Sequence, residues 1–129
     1  MVGGLQEGKE RDMSSDTKQL QEKTNSELLE LFEVQSRFCA IFTDAKRLRI
    51  MWLLKDGELS VGDISDALGI PITNVSQHLR IMRDQGAVLS RRDGRNVYYR
   101  LSNRKFIEGS ALIHEGIQEE LAKKGNWST

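Results

Sequence analysis

Residues 61–82 of the chain read VGDISDALGIPITNVSQHLRIM, and this stretch predicts two short helices joined by a tight turn. The first helix is expected to stop at Gly69, since glycine readily adopts the left-handed conformation that follows many helix ends. Pro71 has no N–H to lose and fits the first turn of the second helix. That helix carries an apolar face of three residues: Val75, Leu79 and Met82. The stretch therefore predicts a helix-turn-helix whose second helix has one buried face.

The opposite face of that second helix is polar in a way that favours DNA contact. Its candidate DNA-binding residues are Thr73, Asn74, Ser76, Gln77 and Arg80. Asn and Gln can pair with adenine, Ser and Thr can reach a base or a phosphate, and Arg can bind guanine or phosphate. An ordinary exposed helix would more often carry Glu and Lys, yet this face has no carboxylate before Asp84. The polar face therefore predicts a helix that reads DNA bases.

His78 lies beside this face and next to Leu79. We expect it to pack half-buried or to contact a phosphate, so it is included among the candidate DNA-binding residues. A metal ligand is the less favoured reading, because no second ligand lies at helical spacing from it.

Residues 87–102 change to a period of two, with β-branched and aromatic residues on both sides of Asp93-Gly94. That dipeptide is a strong signal for a β-hairpin turn. The predicted tip carries three arginines and a neighbouring amide that we expect to contact DNA: Arg91, Arg92, Arg95 and Asn96. Three arginines at one tip repel each other unless phosphates or a narrow minor groove lie nearby. A helix-turn-helix followed by a basic hairpin predicts a winged helix.

The remaining helices complete a fold that is mainly α with a β-hairpin wing, an α+β winged helix-turn-helix. A first helix is expected from a capping box at residues 24–27 to about Ala40, and a second, capped by Asp44, through Leu54. The capping pattern is repeated at residues 60–63, so Ser60 is expected to cap the third helix. The predicted order is four helices, the hairpin, and a last helix over residues 104–123. The predicted domains are a flexible arm (1–23), a DNA-binding and dimerisation domain (24–123) and a flexible tail (124–129).

The last helix has an apolar stripe larger than a small domain needs for its own core. Phe106, Ile113, Ile117 and Leu121 share one side. We expect a homodimer formed through the first and last helices, because two-fold symmetry matches a palindromic DNA operator. Packing of the stripe against its own domain is the alternative.

Charge is unevenly distributed along these 129 residues, although the formal net charge is zero. Residues 46–105 contain twelve basic and six acidic side chains, whereas both flanking segments are net acidic. A basic centre fits a surface that faces double-stranded DNA, although a merely solvated face is the alternative. Neither a secretion signal nor a membrane span is predicted, and Cys39 is the only cysteine, so a reducing cytoplasm is expected.

Residues from about 38 to 119 resemble the ArsR/SmtB family of small winged-helix repressors. The resemblance is carried by TDAKRLRIMWLL, GELSVGDISDALGIP, ITNVSQHLRIMRDQGAV and RRDGRNVYYRLS. It implies a homodimer that represses its own operon until an inducer, often a metal ion or a thiol-reactive species, releases it from DNA.

The chain departs from the family at both usual metal sites. Many arsenic, cadmium and lead sensors have cysteines at the start of the third helix, where this chain has ELSVGD at residues 58–63. Zinc, nickel and cobalt sensors use Asp and His on the last helix, and the corresponding positions here are Asn103, Lys105, Gly116 and Glu119. Both sites are therefore disfavoured, and no cofactor is predicted.

Three weaker candidates for a signal-sensing site remain. His114, Glu115 and Glu119 are candidate metal ligands, although a common solvated surface pattern explains them as well. Cys39 is a candidate redox sensor, although a buried inert thiol is favoured. An organic ligand between the first and last helices is the third, with no motif to support it.

The sequence thus favours a DNA-binding repressor over two other classes of protein. A ligand-independent repressor without an inducer site and a winged-helix dimer that acts through protein contacts stay as alternatives. An enzyme is disfavoured, because the chain has no Ser/His/Asp or Cys/His constellation and no phosphate-binding glycine loop.

Overall fold

The computed structural model describes residues 24–125, so the predictions made for residues 1–23 and 126–129 lie outside the described part. The contacts place residues 24–37 in one compact unit and residues 38–125 in another. The elements follow in the order α1 (Asn25–Cys39), a 3₁₀ turn (Ala40–Thr43), α2 (Ala45–Leu53), a 3₁₀ turn (Leu54–Asp56), β1 (Leu59–Ser60), α3 (Val61–Leu68), α4 (Ile72–Asp84), β2 (Val88–Asp93), β3 (Asn96–Leu101) and α5 (Arg104–Lys123). The predicted winged helix-turn-helix is confirmed, while the predicted domain boundaries stay predictions.

The predicted helix caps are present. Thr24 and Glu27 form the reciprocal capping box at α1, with both hydrogen bonds at 3.1 Å. The Asp44 carboxylate accepts from the backbone N–H of Lys46 at 2.8 Å, and this hydrogen bond is the main cause that lowers the pKa of Asp44. Ser60 caps α3 in the same way, accepting from the N–H of Asp63. Each cap satisfies an N–H that the first helical turn leaves without a partner.

A three-residue link between α3 and α4 forms the turn of the helix-turn-helix. Gly69 ends α3 at φ +69°, in the left-handed region, as the sequence predicts. Pro71 is the residue immediately before α4, and its carbonyl accepts from the N–H groups of Asn74 and Val75. The hydroxyl of Ser65 donates to the carbonyl of Ile70 at 2.6 Å. The two helices are therefore joined by a short, hydrogen-bonded connection rather than by a free loop.

The core lies between these helices and the sheet. Val75, Leu79 and Met82 of α4 have no exposed surface, which confirms the predicted apolar face. The other buried apolar side chains are Ile41, Ile50, Met51, Leu54, Ile64, Leu68, Ala87, Val88, Tyr99 and Ile107. From α5, Ile107 is the buried residue, whereas Phe106 is half-buried and stacks on Phe38 with ring centroids 4.3 Å apart. The inward face of α4 is thus fixed by packing against α2, α3 and β2.

The sheet has three strands in the order β1-β3-β2, one more than the hairpin that the sequence predicts. The added strand has only two residues, and Leu59 and Ser60 pair with Tyr99 and Tyr98. Such a short segment carries no detectable period of two. The turn also differs by one residue from the prediction: Asp93 pairs with Asn96, so Gly94 and Arg95 form the loop and Gly94 has φ +65°. Arg95 therefore lies at the tip of the wing.

Replacing Leu79 by alanine is expected to lower the free energy of unfolding by about 2–5 kcal/mol, because the side chain is fully buried and its removal leaves a cavity. Ile81, on the same helix but 44 % exposed, is the matched control, and its replacement by alanine should cost roughly 0.5 kcal/mol or less. Urea denaturation at one fixed protein concentration measures both. Equal losses would contradict the assignment of the buried face.

Candidate nucleic-acid interface

The outward face of α4 presents polar side chains that are not used elsewhere in the fold. Thr73, Gln77 and Arg80 are exposed, and Asn74 and Ser76 are half-buried. Within residues 24–125, none of these five side chains forms a hydrogen bond or an ion pair. Unpaired donors and acceptors of this kind are what base-edge recognition in a major groove requires. The structure therefore brings the five predicted reading residues onto one free face.

His78 has a different environment from its neighbours on α4. Its Nδ1 lies 3.4 Å from Nη1 of Arg47 on α2, and because arginine can only donate, Nδ1 is the acceptor. Arg47 is itself held by a 2.8 Å hydrogen bond from its Nε to the carbonyl of Ile41, and its side chain is only 14 % exposed. His78 therefore connects α4 to α2, and only Nε2 is left to contact DNA.

The wing tip carries two arginines without a protein partner. Arg92 and Arg95 are exposed and form no ion pair with any residue from 24 to 125. Asn96, also exposed, begins β3 directly after the tip. These side chains have the charge and the freedom that contacts to phosphate or to a minor groove require.

Arg91, the third predicted wing arginine, is already paired. Its Nε and Nη2 donate to the two carboxylate oxygens of Glu58 at 2.8 and 2.7 Å, and its guanidinium lies over the ring of Tyr98. A weaker ion pair joins it to Asp93 at 3.8 Å. The hydrogen bonds from Arg91 lower the pKa of the Glu58 carboxyl. Sequence reasoning missed Glu58, since a single acid 33 positions away carries no local signal of this pairing.

The candidate sensing residues are not brought together. Cys39 is exposed in the single chain, so the expectation of a buried thiol is wrong. Its sequence neighbours are apolar, but Cys39 is the last residue of α1, and apolar neighbours in sequence do not decide whether a residue at a helix end is covered. Glu115 and Glu119 are exposed. In the described part of the chain, no three His, Cys, Asp or Glu side chains are arranged to hold a metal ion.

His114 instead lines an apolar groove between α2 and α5. Its ring meets that of Trp52 edge-on, with centroids 5.9 Å apart. The groove has a volume of about 420 Å³ and is lined by Phe42, Ala45, Leu48, Arg49, Trp52, Ser110, Ile113, His114 and Ile117. The sequence predicts apolar stripes on these helices but cannot show that a gap separates them.

A helix-turn-helix with a free polar face, followed by a basic β-hairpin, defines a winged-helix DNA-binding protein. No helix formed by residues 24–125 is long and apolar enough to cross a membrane.

Comparison with known proteins identifies the family. Residues 44–90 match the profile described as "Bacterial regulatory protein, arsR family". A "Transcriptional repressor SmtB homolog" of Synechocystis sp. is 36 % identical over 95 residues, which are 72 % of this chain and 72 % of that protein. The regulator KmtR of Mycobacterium tuberculosis is 41 % identical over 63 residues, which cover 49 % of this chain and only 48 % of KmtR. The chain belongs to the ArsR family, and the predicted resemblance is confirmed.

A solved structure supports the same assignment. The winged helix-turn-helix domain of Mb0332 from Mycobacterium bovis, described as homodimeric and as a possible ArsR-family regulator, has a TM-score of 0.68 and 28 % identity. The match covers 78 % of this chain and 92 % of that domain.

The pKa of Glu58 is expected to lie below the ordinary value of about 4.3 and to rise toward it in Arg91→Gln. Because the folded-state pKa is lowered, the pair stabilises the fold above the unfolded-state pKa, and this contribution is lost as pH falls through the folded-state pKa. Titration of the side-chain carboxyl carbon by NMR measures both values. Identical titration curves for wild type and variant would show that Arg91 does not pair with Glu58 in solution.

Proposed function

We propose that the protein is a cytoplasmic transcriptional repressor that binds a palindromic double-stranded DNA operator as a homodimer. The observation that carries this proposal is the division of α4 into two faces. Val75, Leu79 and Met82 are fully buried, while the polar side chains on the opposite face have no partner within residues 24–125. Such a helix can enter a major groove without loss of any contact that the fold needs.

In the proposed complex the two copies of α4 occupy successive major grooves, about 34 Å apart. Thr73, Asn74, Ser76, Gln77 and Arg80 contact base edges and neighbouring phosphates. Arg92 and Arg95, whose charges are not neutralised within the described residues, reach the flanking minor groove or backbone. Contacts by the helix then provide sequence selectivity, and contacts by the wing add affinity that depends on salt.

The dimer is proposed to form through α1 and α5. Leu112, Ile113 and Ile117 on α5 are 67 %, 64 % and 54 % exposed in the single chain, and α1 has no buried residue. Adjacent exposed apolar side chains of this size commonly mark a protein interface. The homodimeric state of the Mb0332 domain supports a two-fold assembly. Two-fold symmetry would in turn match a palindromic operator.

The test is fluorescence anisotropy of the reduced, chelator-treated protein on its own upstream DNA and on a scrambled duplex, across a salt series. Selective, salt-sensitive binding without metal supports a repressor whose DNA-bound state needs no cofactor. The same assay then screens metal ions, oxidants and metabolites for release, and protein that no signal releases would be a ligand-independent repressor. Equal, weak binding to both duplexes at low salt contradicts the proposal and favours a dimer that acts through protein contacts.

Gln77→Ala is expected to lower operator affinity by about 1–3 kcal/mol while binding to scrambled DNA changes little, because an amide that pairs with a base supplies discrimination. Arg95→Ala should weaken binding to both duplexes and reduce the slope of log K against log salt by about 1, because a phosphate contact is lost. Anisotropy titrations at four salt concentrations measure both effects. If Gln77→Ala retained full selectivity, the assignment of the reading face would be wrong.

Ile113→Glu is expected to weaken the dimer by about tenfold or more, because a carboxylate would be buried without a partner in the proposed interface. The matched control is Ile81→Glu, which places the same charge on an exposed position of α4. Sedimentation velocity over a range of protein concentrations measures the monomer fraction. An unchanged dimer in Ile113→Glu would place the interface elsewhere.

A further inference from the structure

Arg91, on the outer strand β2, reaches across one face of the three-stranded sheet to Glu58, the residue immediately before the other outer strand, β1. Tyr98 on the central strand β3 pairs with Arg91 of β2 on one side and with Ser60 of β1 on the other. The guanidinium carbon of Arg91 lies 4.7 Å from the centroid of the Tyr98 ring. Two guanidinium nitrogens of Arg91 donate to the two carboxylate oxygens of Glu58, which lies two positions before Ser60. We call Glu58, Arg91 and Tyr98 the cross-sheet staple.

The staple reinforces a short connection between the wing and the helix-turn-helix. β1 has only two residues, and its second residue, Ser60, is also the N-cap of α3. The wing is therefore attached to the helix-turn-helix on this side through a very short strand. A bidentate arginine–carboxylate pair fixes geometry as well as adding energy, and the aromatic ring beneath the cation restricts it further.

The staple also places a negative charge beside a surface that we expect to face DNA. Glu58 is only 28 % exposed, and it lies at the base of a hairpin whose tip carries Arg92 and Arg95. A carboxylate that served only as a solvated surface charge would weaken binding to phosphate. Glu58 would therefore favour DNA binding only if its pairing with Arg91 helps to orient the wing.

We propose that the cross-sheet staple holds the wing at the angle at which Arg92 and Arg95 reach DNA while α4 occupies the major groove. Glu58 and Arg91 are then positioning residues, and Arg91 is not a phosphate contact. This inference rests on the proposed function, because it assumes that the wing contacts DNA.

Glu58→Gln is the first test. Removal of the carboxylate should weaken DNA binding if Glu58 positions the wing, and should strengthen it if Glu58 is only a solvated surface charge. As a positioning residue, Glu58 is needed, so the variant should bind the operator about three- to tenfold more weakly although it has lost a negative charge. The matched control is Asp84→Asn, which removes an exposed carboxylate from the last turn of α4 that has no ion pair among residues 24–125. The control should bind both duplexes as tightly as wild type, or more tightly.

Arg91→Lys is the second test and keeps the positive charge. Lysine serves as a phosphate contact but cannot form the bidentate pair over the ring, so the variant should lose operator affinity to about the same extent as Glu58→Gln. The double variant should lose no more than either single variant, because both remove one interaction. Anisotropy on operator and scrambled DNA measures all four proteins, and thermal unfolding checks that each is folded.

Three results would overturn the staple. The first is Glu58→Gln binding both duplexes as tightly as wild type or more tightly, as the control does. The second is Arg91→Lys retaining wild-type affinity. The third is that the losses of the two single variants add in the double variant. Failure of the proposed function gives a different result, because the wild-type protein itself would then bind operator and scrambled DNA equally and weakly. Failure of the wing contact alone would leave DNA binding unchanged in Arg95→Ala.

Discussion

Burial of one face of α4 is the constraint on which the rest of the structure depends. Val75, Leu79 and Met82 are inaccessible to solvent, and together they fix the rotation of the helix about its own axis. A rotation of about 100° separates neighbouring residues on an α-helix, so fixing the inward residues also fixes which residues face outward. The five polar side chains on the outward face form no hydrogen bond or ion pair among residues 24–125, whereas the apolar face is occupied by the core. Stability of the fold thus depends on one side of α4, and the opposite side is the one that we propose to bind DNA.

The other elements hold that helix in place. The three-residue link and the hydrogen bond from Ser65 to Ile70 set its angle to α3. The hydrogen bond between Arg47 and His78 ties its middle to α2. These contacts are polar and partly shielded from water, so each adds direction to the less directional apolar packing. The orientation of α4 within the fold therefore depends on a few hydrogen bonds in addition to the core.

Most of the fold follows from local signals in the sequence. The caps at Asp44 and Ser60, the glycine after α3 and the apolar period of α4 each act within a few residues, and the structure places them as predicted. The outward position of the polar side chains on α4 could be predicted for the same reason. What could not be predicted depends on distant partners: the two-residue strand β1 exists only because Tyr98 and Tyr99 lie beside it. The pairing of Arg91 with Glu58 crosses 33 positions, and the exposure of Cys39 depends on what packs at the end of α1.

Substitutions are restricted by core packing at the base of the hairpin but not at its tip. Val88 and Tyr99 at its base are buried in the core, whereas residues 91–96 are all exposed and surround a two-residue loop. Changes at the base alter core volume and affect the whole fold, whereas Arg92 and Arg95 at the tip form no ion pair within residues 24–125. Descendants of one ancestral chain can therefore exchange Arg92 and Arg95 and change how tightly they hold DNA while they keep the same core. Regulatory divergence at these two positions costs little stability.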